Sequence, residues 1–153
     1  MEFDRFLQLF IFCRLEPKEV QRLKAICHLA RYKEGEVIIQ DNAPGMGLYI
    51  VRRGVVRVEK AEQVLAHLGE GEFFGEMSLV EPAPRSATVT AMSATFVFRL
   101  PHDSLRALLS DEPAAANVLL VQIVKTLSDR LRRANAMLSS VDLLADWLAG
   151  SMV

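Results

Sequence analysis

Apolar residues along this chain change their spacing twice. From Pro17 to about Ala30, Val20, Leu23, Ile26 and Cys27 recur at helical intervals, and Pro17 stands where the first turn of a helix tolerates it. From Tyr32 to Leu100 the pattern shortens into β-rich runs: Val37 to Ile39, Leu48 to Val51, Val55 to Val58, Val64 to Leu68, Ala87 to Ala91 and Thr95 to Leu100. Turn residues at Asn42 to Gly45, Arg53-Gly54 and Lys60 to Gln63 separate several of these runs. After Pro113, Leu120, Val124, Leu127, Leu131, Ala134, Leu138, Val141, Ala145 and Leu148 alternate at steps of four and three, an a/d stripe of about four heptads. The pattern predicts a mainly β fold with flanking helices: helices over 1–30, an antiparallel sandwich or barrel over 31–100, and helices over 101–149.

Length and composition fit this outline. The chain has 153 residues, 51% of them hydrophobic, and no Ser/Gly/Pro-rich linker divides it, so a single domain over 1–153 is expected. Its net charge of −1, from 18 basic and 19 acidic side chains, provides no overall field for nucleic acid or an anionic membrane. The opening stretch carries Glu2 and Asp4, lacks a basic n-region, and is far shorter than the ~20 apolar residues of a membrane span, so a cytoplasmic protein is expected. Cys13 and Cys27 are the only cysteines, too few for a structural zinc site, and are expected as buried free thiols. His28, His67 and His102 have no metal-ligand spacing and are expected to be ordinary core or surface histidines.

The segment from Gly71 to Ala91 holds the most chemistry. Gly71 and Gly75 flank Phe73 and Phe74, and glycine there permits positive φ or a close approach to a ligand. Glu76-Met77-Ser78-Leu79-Val80 has room for about one helical turn before Pro82 and Pro84, and its exposed N–H groups would suit phosphate oxygens. Arg85 can meet a phosphate with its planar fork, and Ser86 adds a hydroxyl. A carboxylate beside a phosphate needs another task. Glu76 accepts hydrogen bonds only, which suits a ribose 2′-OH. No G-x-x-x-x-G-K-[ST] string is present, so a nucleoside triphosphate is not indicated, whereas one arginine and a few amides match the single charge of a 3′,5′-cyclic nucleotide. The competing interpretation is an ordinary turn closed by a surface salt bridge.

Phe74-Gly75-Glu76-Met77-Ser78-Leu79, followed after five residues by Arg85-Ser86-Ala87-Thr88-Val89, resembles the phosphate-binding cassette of cyclic nucleotide-binding domains, found in catabolite activator proteins, protein kinase A regulatory subunits and gated channels. The likeness extends from about Phe12 to about Leu138 through Phe12-x-x-Leu15, Gly35-Glu36-Val37-Ile38 and Leu48-Tyr49-Ile50-Val51-x-x-Gly54-x-Val56. One departure is Met46-Gly47, where many members carry a Gly-Asp pair. The resemblance implies a β-roll of jelly-roll type with its cassette over 71–87. It assigns ribose and phosphate contacts to Gly75 and Glu76 and the cyclic phosphate to Arg85 and Ser86, within a ligand-binding set of Phe74, Gly75, Glu76, Met77, Ser78, Arg85, Ser86 and Ala87. It also implies that the long helix lies over the pocket mouth, with Asn135, or in competition Arg132, near the base. An amide can bond the exocyclic amine of adenine, so cAMP is favoured and cGMP is the alternative; no cofactor, metal or catalytic group is expected. His67 is a minor alternative as a haem ligand of a gas-sensing relative. Some members of the superfamily keep the fold and lose the ligand.

A helix as long as the heptad stripe is expected to form a homodimer along 118–148. The competing interpretation is an amphipathic helix folded back on its own core, and Arg130, Arg132 and Arg133 are expected to form a solvated face. A ligand touching both cassette and helix would favour one helix position, so the expected function is a cyclic nucleotide sensor that moves the helix after Pro101. No helix-turn-helix follows the stripe, so direct DNA binding is not expected, and the downstream effector has no signature. Two alternatives stand: a regulatory fragment of a transcription factor or channel, and a ligand-free interaction scaffold. No paired-carboxylate, Ser-His-Asp or metal-ligand set supports hydrolysis, so an enzyme is not expected.

Overall fold

A computed structural model describes residues 16–45, 47–76, 85 and 87–150. The Phe12-x-x-Leu15 landmark, Cys13, Met46, the Met77–Val80 turn and Ser86 lie outside them. In chain order the elements are α1 (Pro17–Ile26), β1 (His28–Tyr32), β2 (Val37–Ile39), β3 (Gly47–Arg53), β4 (Val56–Lys60), β5 (Gln63–Leu68), β6 (Phe73–Phe74), β7 (Thr88–Ala91), β8 (Thr95–Pro101), α2 (His102–Asp111) and α3 (Pro113–Leu148). The strands form two four-stranded antiparallel sheets, ordered β1-β8-β3-β6 and β2-β7-β4-β5. This is the β-roll with flanking helices.

Two strands depart from the sequence pattern. The helix expected to reach Ala30 stops at Ile26, and His28 to Tyr32 pair instead with Arg99 to Thr95 of β8. Helical spacing of apolar residues is a local property, and five rungs of sheet pairing override it. Cys27 is the extended residue at the switch, and burial pushes its thiol up to about 12, which makes it a poor nucleophile. The second is β6, only Phe73 and Phe74, too short to show a period; it is identifiable through its pairing with Ile50 and Tyr49 of β3.

The strands alternate around one interior. Ile39, Tyr49, Val51, Val56, Leu68, Phe74, Val89 and Val97 form a buried cluster inside the roll. β3 reads as an unbroken apolar run because both faces are covered: Leu48 and Ile50, opposite in direction to Tyr49 and Val51, are also fully buried. α2 packs against β8, and Leu23, Leu105 and Leu108 are buried with it in the core.

Turn chemistry follows the expected positions. Gly54 has φ +100, and a Cβ there would stand 2.6 Å from Thr95 Oγ1, so only glycine fits between β3 and β4. The β4–β5 hairpin turns on Ala61 and Glu62 at φ 50 and φ 64, a conformation that costs these residues more than Asn-Gly.

The chain divides into two compact units, Met1–Leu119 and Leu120–Val153. In the second, Val124, Leu131, Leu138, Val141 and Leu148 are each more than 60% exposed. From Val124 onward the apolar stripe is thus exposed. No described helix is long and apolar enough to cross a membrane.

Candidate functional site

The loop from Gly69 to Gly75 is fastened to β3. Glu72 accepts from the Gly69 N–H through its carboxylate at 2.8 Å; Gly71 donates to the Val51 carbonyl, and Val51 donates to that of Glu72. Gly71 and Gly75 both have φ +83, the left-handed backbone their positions in the sequence predict. At Gly75 the requirement is double: a Cβ would stand 2.8 Å from the Gly47 carbonyl oxygen and 2.9 Å from Arg85 Nη1.

Arg85 is the centre of this arrangement. Its backbone N–H donates to Ala43, and its carbonyl accepts from Asn42, which fixes it against the β2–β3 turn. Its side chain crosses to the loop: Nη2 donates to the Gly47 carbonyl at 2.8 Å and Nη1 to the Gly75 carbonyl at 3.0 Å. The guanidinium lies 5.9 Å from the centroid of the Tyr49 ring, which itself stacks on Phe74 at 5.0 Å. Arg85 is only 8% exposed. Burial pulls its pKa below the ordinary arginine value; Tyr49 and Glu76 oppose that shift, and Arg99 adds to it. Glu76 is half-buried and near enough to Arg85 to be felt electrostatically, so loop and arginine converge.

Other expected site residues distribute as follows. Phe74 is buried in β6 and Ala87 is half-buried just before β7. Met77, Ser78 and Ser86 lie outside the described residues. Arg132 and Asn135 are exposed on α3, where Arg132 pairs with Asp129 at 3.1 Å as a solvated helix-surface contact. His67 is exposed on β5 opposite Arg57, on the strand face away from Ala66 and Leu68, which pack toward the interior.

The sequence pattern missed three residues here. Tyr49 is paired with Phe74 on one side and Arg99 on the other, so the row Phe74–Tyr49–Arg99 runs across the inner face of the first sheet. Alternation in β8, which turns Val97 inward, turns Arg99 inward also; that signal was present in TFVFRLP. His102, the first residue of α2, is 2% exposed, and neither ring nitrogen makes a hydrogen bond. Burial lowers its pKa from the ordinary value, and Arg85 lowers it further. Nothing in the local sequence marked it.

Residues 29–112 match the cyclic nucleotide-binding domain family, more than half of the chain, and the chain belongs to that family. It is 28% identical over 130 residues to the CRP-like cAMP-activated global transcriptional regulator of Mycobacterium tuberculosis, covering 82% of this chain and 56% of that protein. The structure of the Thermus thermophilus catabolite activator protein superposes with a TM-score of 0.71 at 31% identity, covering 86% of this chain and 62% of that one. The regulatory domain of Toxoplasma gondii PKA, crystallised with cAMP, superposes with a TM-score of 0.63 at 31% identity, covering 69% and 42%. The chain spans about half the length of the curated regulator it matches, 56%.

Proposed function

We propose that this chain is a cAMP-responsive regulatory domain that binds one cyclic nucleotide inside its β-roll, with cGMP as the competing ligand. The observation that carries this is Arg85, a buried cation directed at a glycine turn and satisfied there by backbone carbonyls. A carbonyl is a weaker partner for a guanidinium than a phosphate, which accepts two parallel bonds and carries the opposing charge. Arg85 and the Gly75 turn would take the cyclic phosphate, Glu76 the ribose 2′-OH, and Met77, Ser78, Ser86 and Ala87 the rest of the cassette. Asn135 or Arg132 would meet the base.

The role is binding and signalling rather than catalysis, in a cytoplasmic setting. Ligand would favour one position of the segment after Pro101, and the exposed a/d stripe of α3 would carry the change through a homodimer over 118–148, since a second copy presents the same stripe and can bury it. No direct contact with DNA is proposed for this chain, and the downstream partner is a protein. Calorimetry of the purified protein with cAMP and cGMP tests the reading. Saturable heat with cAMP at lower concentration than with cGMP is expected; no heat and no thermal shift with either would leave an interaction scaffold of the same fold.

A further inference from the structure

Gly47 stands between two guanidinium side chains. Its carbonyl accepts from Arg85 Nη2 at 2.8 Å, and a Cβ built on it would lie 3.4 Å from both Cγ and Nε of Arg99. That Cβ position shares a face of β3 with Tyr49, two residues along, and Tyr49 is in register with Arg99 and belongs to the buried cluster. The Arg99 stem therefore runs over the inner face of the first sheet, diagonal to Tyr49 and across Gly47. The Arg85 guanidinium lies 5.9 Å from the centroid of the same tyrosine ring. Because residue 47 is a glycine, no side chain and no carboxylate separates the two arginines there.

Arg99 is the less satisfied of the pair. Arg85 places both terminal nitrogens on carbonyls, whereas Arg99 is half-buried, with its Nε sealed from solvent and without a hydrogen-bond partner. Among the described residues no ion pair reaches it. Its place in β8 belongs to the inward positions, otherwise filled by Thr95 and Val97, where an unpaired charge is costly. The two like charges also repel, and Arg99 accordingly helps to lower the pKa of Arg85. Glu76 is the one described acid acting on Arg85, so two guanidiniums face one carboxylate and leave one positive charge in excess. A phosphodiester carries one negative charge. Its arrival neutralises the group, whereas beside Arg85 alone it would compete with Glu76 for a single cation. We infer that Arg99 is a second ligand-binding cation, which meets the phosphate from the other side of Gly47 and lets Glu76 and that phosphate be held together. This rests on the cyclic-nucleotide reading for the identity of the anion, but not for the pairing of the two cations on Gly47.

Arg99→Met keeps the stem and removes the charge; Arg99→Lys keeps both. Calorimetry should show cAMP affinity lowered by about tenfold in Arg99→Met and close to wild type in Arg99→Lys. The ligand-free melting temperature of Arg99→Met should equal or exceed that of wild type, because a partnerless Nε and a like-charge contact both disappear. Affinity that falls while ligand-free stability does not is a combination that a packing role would not produce. Unchanged cAMP affinity in Arg99→Met, equal losses in Arg99→Met and Arg99→Lys, or a ligand-free Arg99→Met that melts below wild type would each overturn the inference. Inorganic phosphate, against sodium chloride at matched ionic strength, separates it from the cyclic-nucleotide reading. Where wild type gives no heat with cAMP, a larger thermal shift by phosphate in wild type than in Arg99→Met supports the paired cations and defeats that reading, and equal shifts overturn the inference as well.

Discussion

The inner face of the β-roll and the apolar stripe of α3 treat their residues in opposite ways. In the roll, a charged side chain is buried and given backbone partners: Arg85 is 8% exposed and bridges the carbonyls of Gly47 and Gly75. On α3, apolar side chains stand in the open, with Leu131 and Leu138 each 63% exposed. Both inversions carry a cost. Burying a guanidinium sacrifices hydration, and leaving a stripe of leucine and valine in water forgoes roughly 1.5–3 kcal/mol for each large side chain that a partner would cover. A fold tolerates such costs where function offsets them. Under the proposed function the cation would meet an anionic phosphate and the apolar stripe a second copy of the chain.

The sharpest way to break the comparison is at the cation. Arg85→Ala should reduce cAMP affinity at least 100-fold, since a charge-assisted bidentate contact is worth ~3 kcal/mol, and calorimetry beside a melting curve separates this from unfolding. The melting curve should fall as well, because two carbonyls lose their donor.

Leu131→Asp with Leu138→Asp should abolish self-association while the roll still binds cAMP; light scattering over a dilution series reads the first and calorimetry the second. A mass independent of concentration in both wild type and variant would mean that the seam is not shared between copies.

Gly75→Ala should weaken cAMP binding and lower stability by about 1–3 kcal/mol, because φ +83 and a 2.8 Å approach to the Gly47 oxygen leave no room for a Cβ. Gly54→Ala, crowded instead by Thr95 and remote from the Gly75 turn, should lower stability with affinity little changed.

Acid should act through the buried imidazole. The folded-state pKa of His102 is depressed below its unfolded value, so the unfolded chain binds the extra proton and stability is lost as pH falls below about 6.5 toward the folded value. Denaturant titrations at pH 7.5 and 5.5 should show that loss in wild type and a smaller one in His102→Phe. The smallest effect is expected at the β4–β5 turn, where Ala61→Asn with Glu62→Gly should raise stability by ~0.5–1 kcal/mol in a chemical melt, leaving both cation and seam untouched.

Sequence by itself determined the order of strands from β2 to β5 and of β7 and β8, the heptad stripe, and the glycine-arginine framework of the cassette. These are local properties: a period of two, a period of 3.5, or a residue type that only one backbone conformation or one charge explains. Tertiary structure alone decided the rest. His28 to Tyr32 became a strand only because β8 offered an edge for pairing, and Phe73-Phe74 became one only beside β3. The same is true of Arg85's partners, since Gly47 lies 38 residues away in sequence, and of His102, buried at the start of α2 within electrostatic reach of Arg85. A hydrogen bond is sensitive to a few tenths of an ångström between groups, and no spacing along the chain encodes a distance closed by folding.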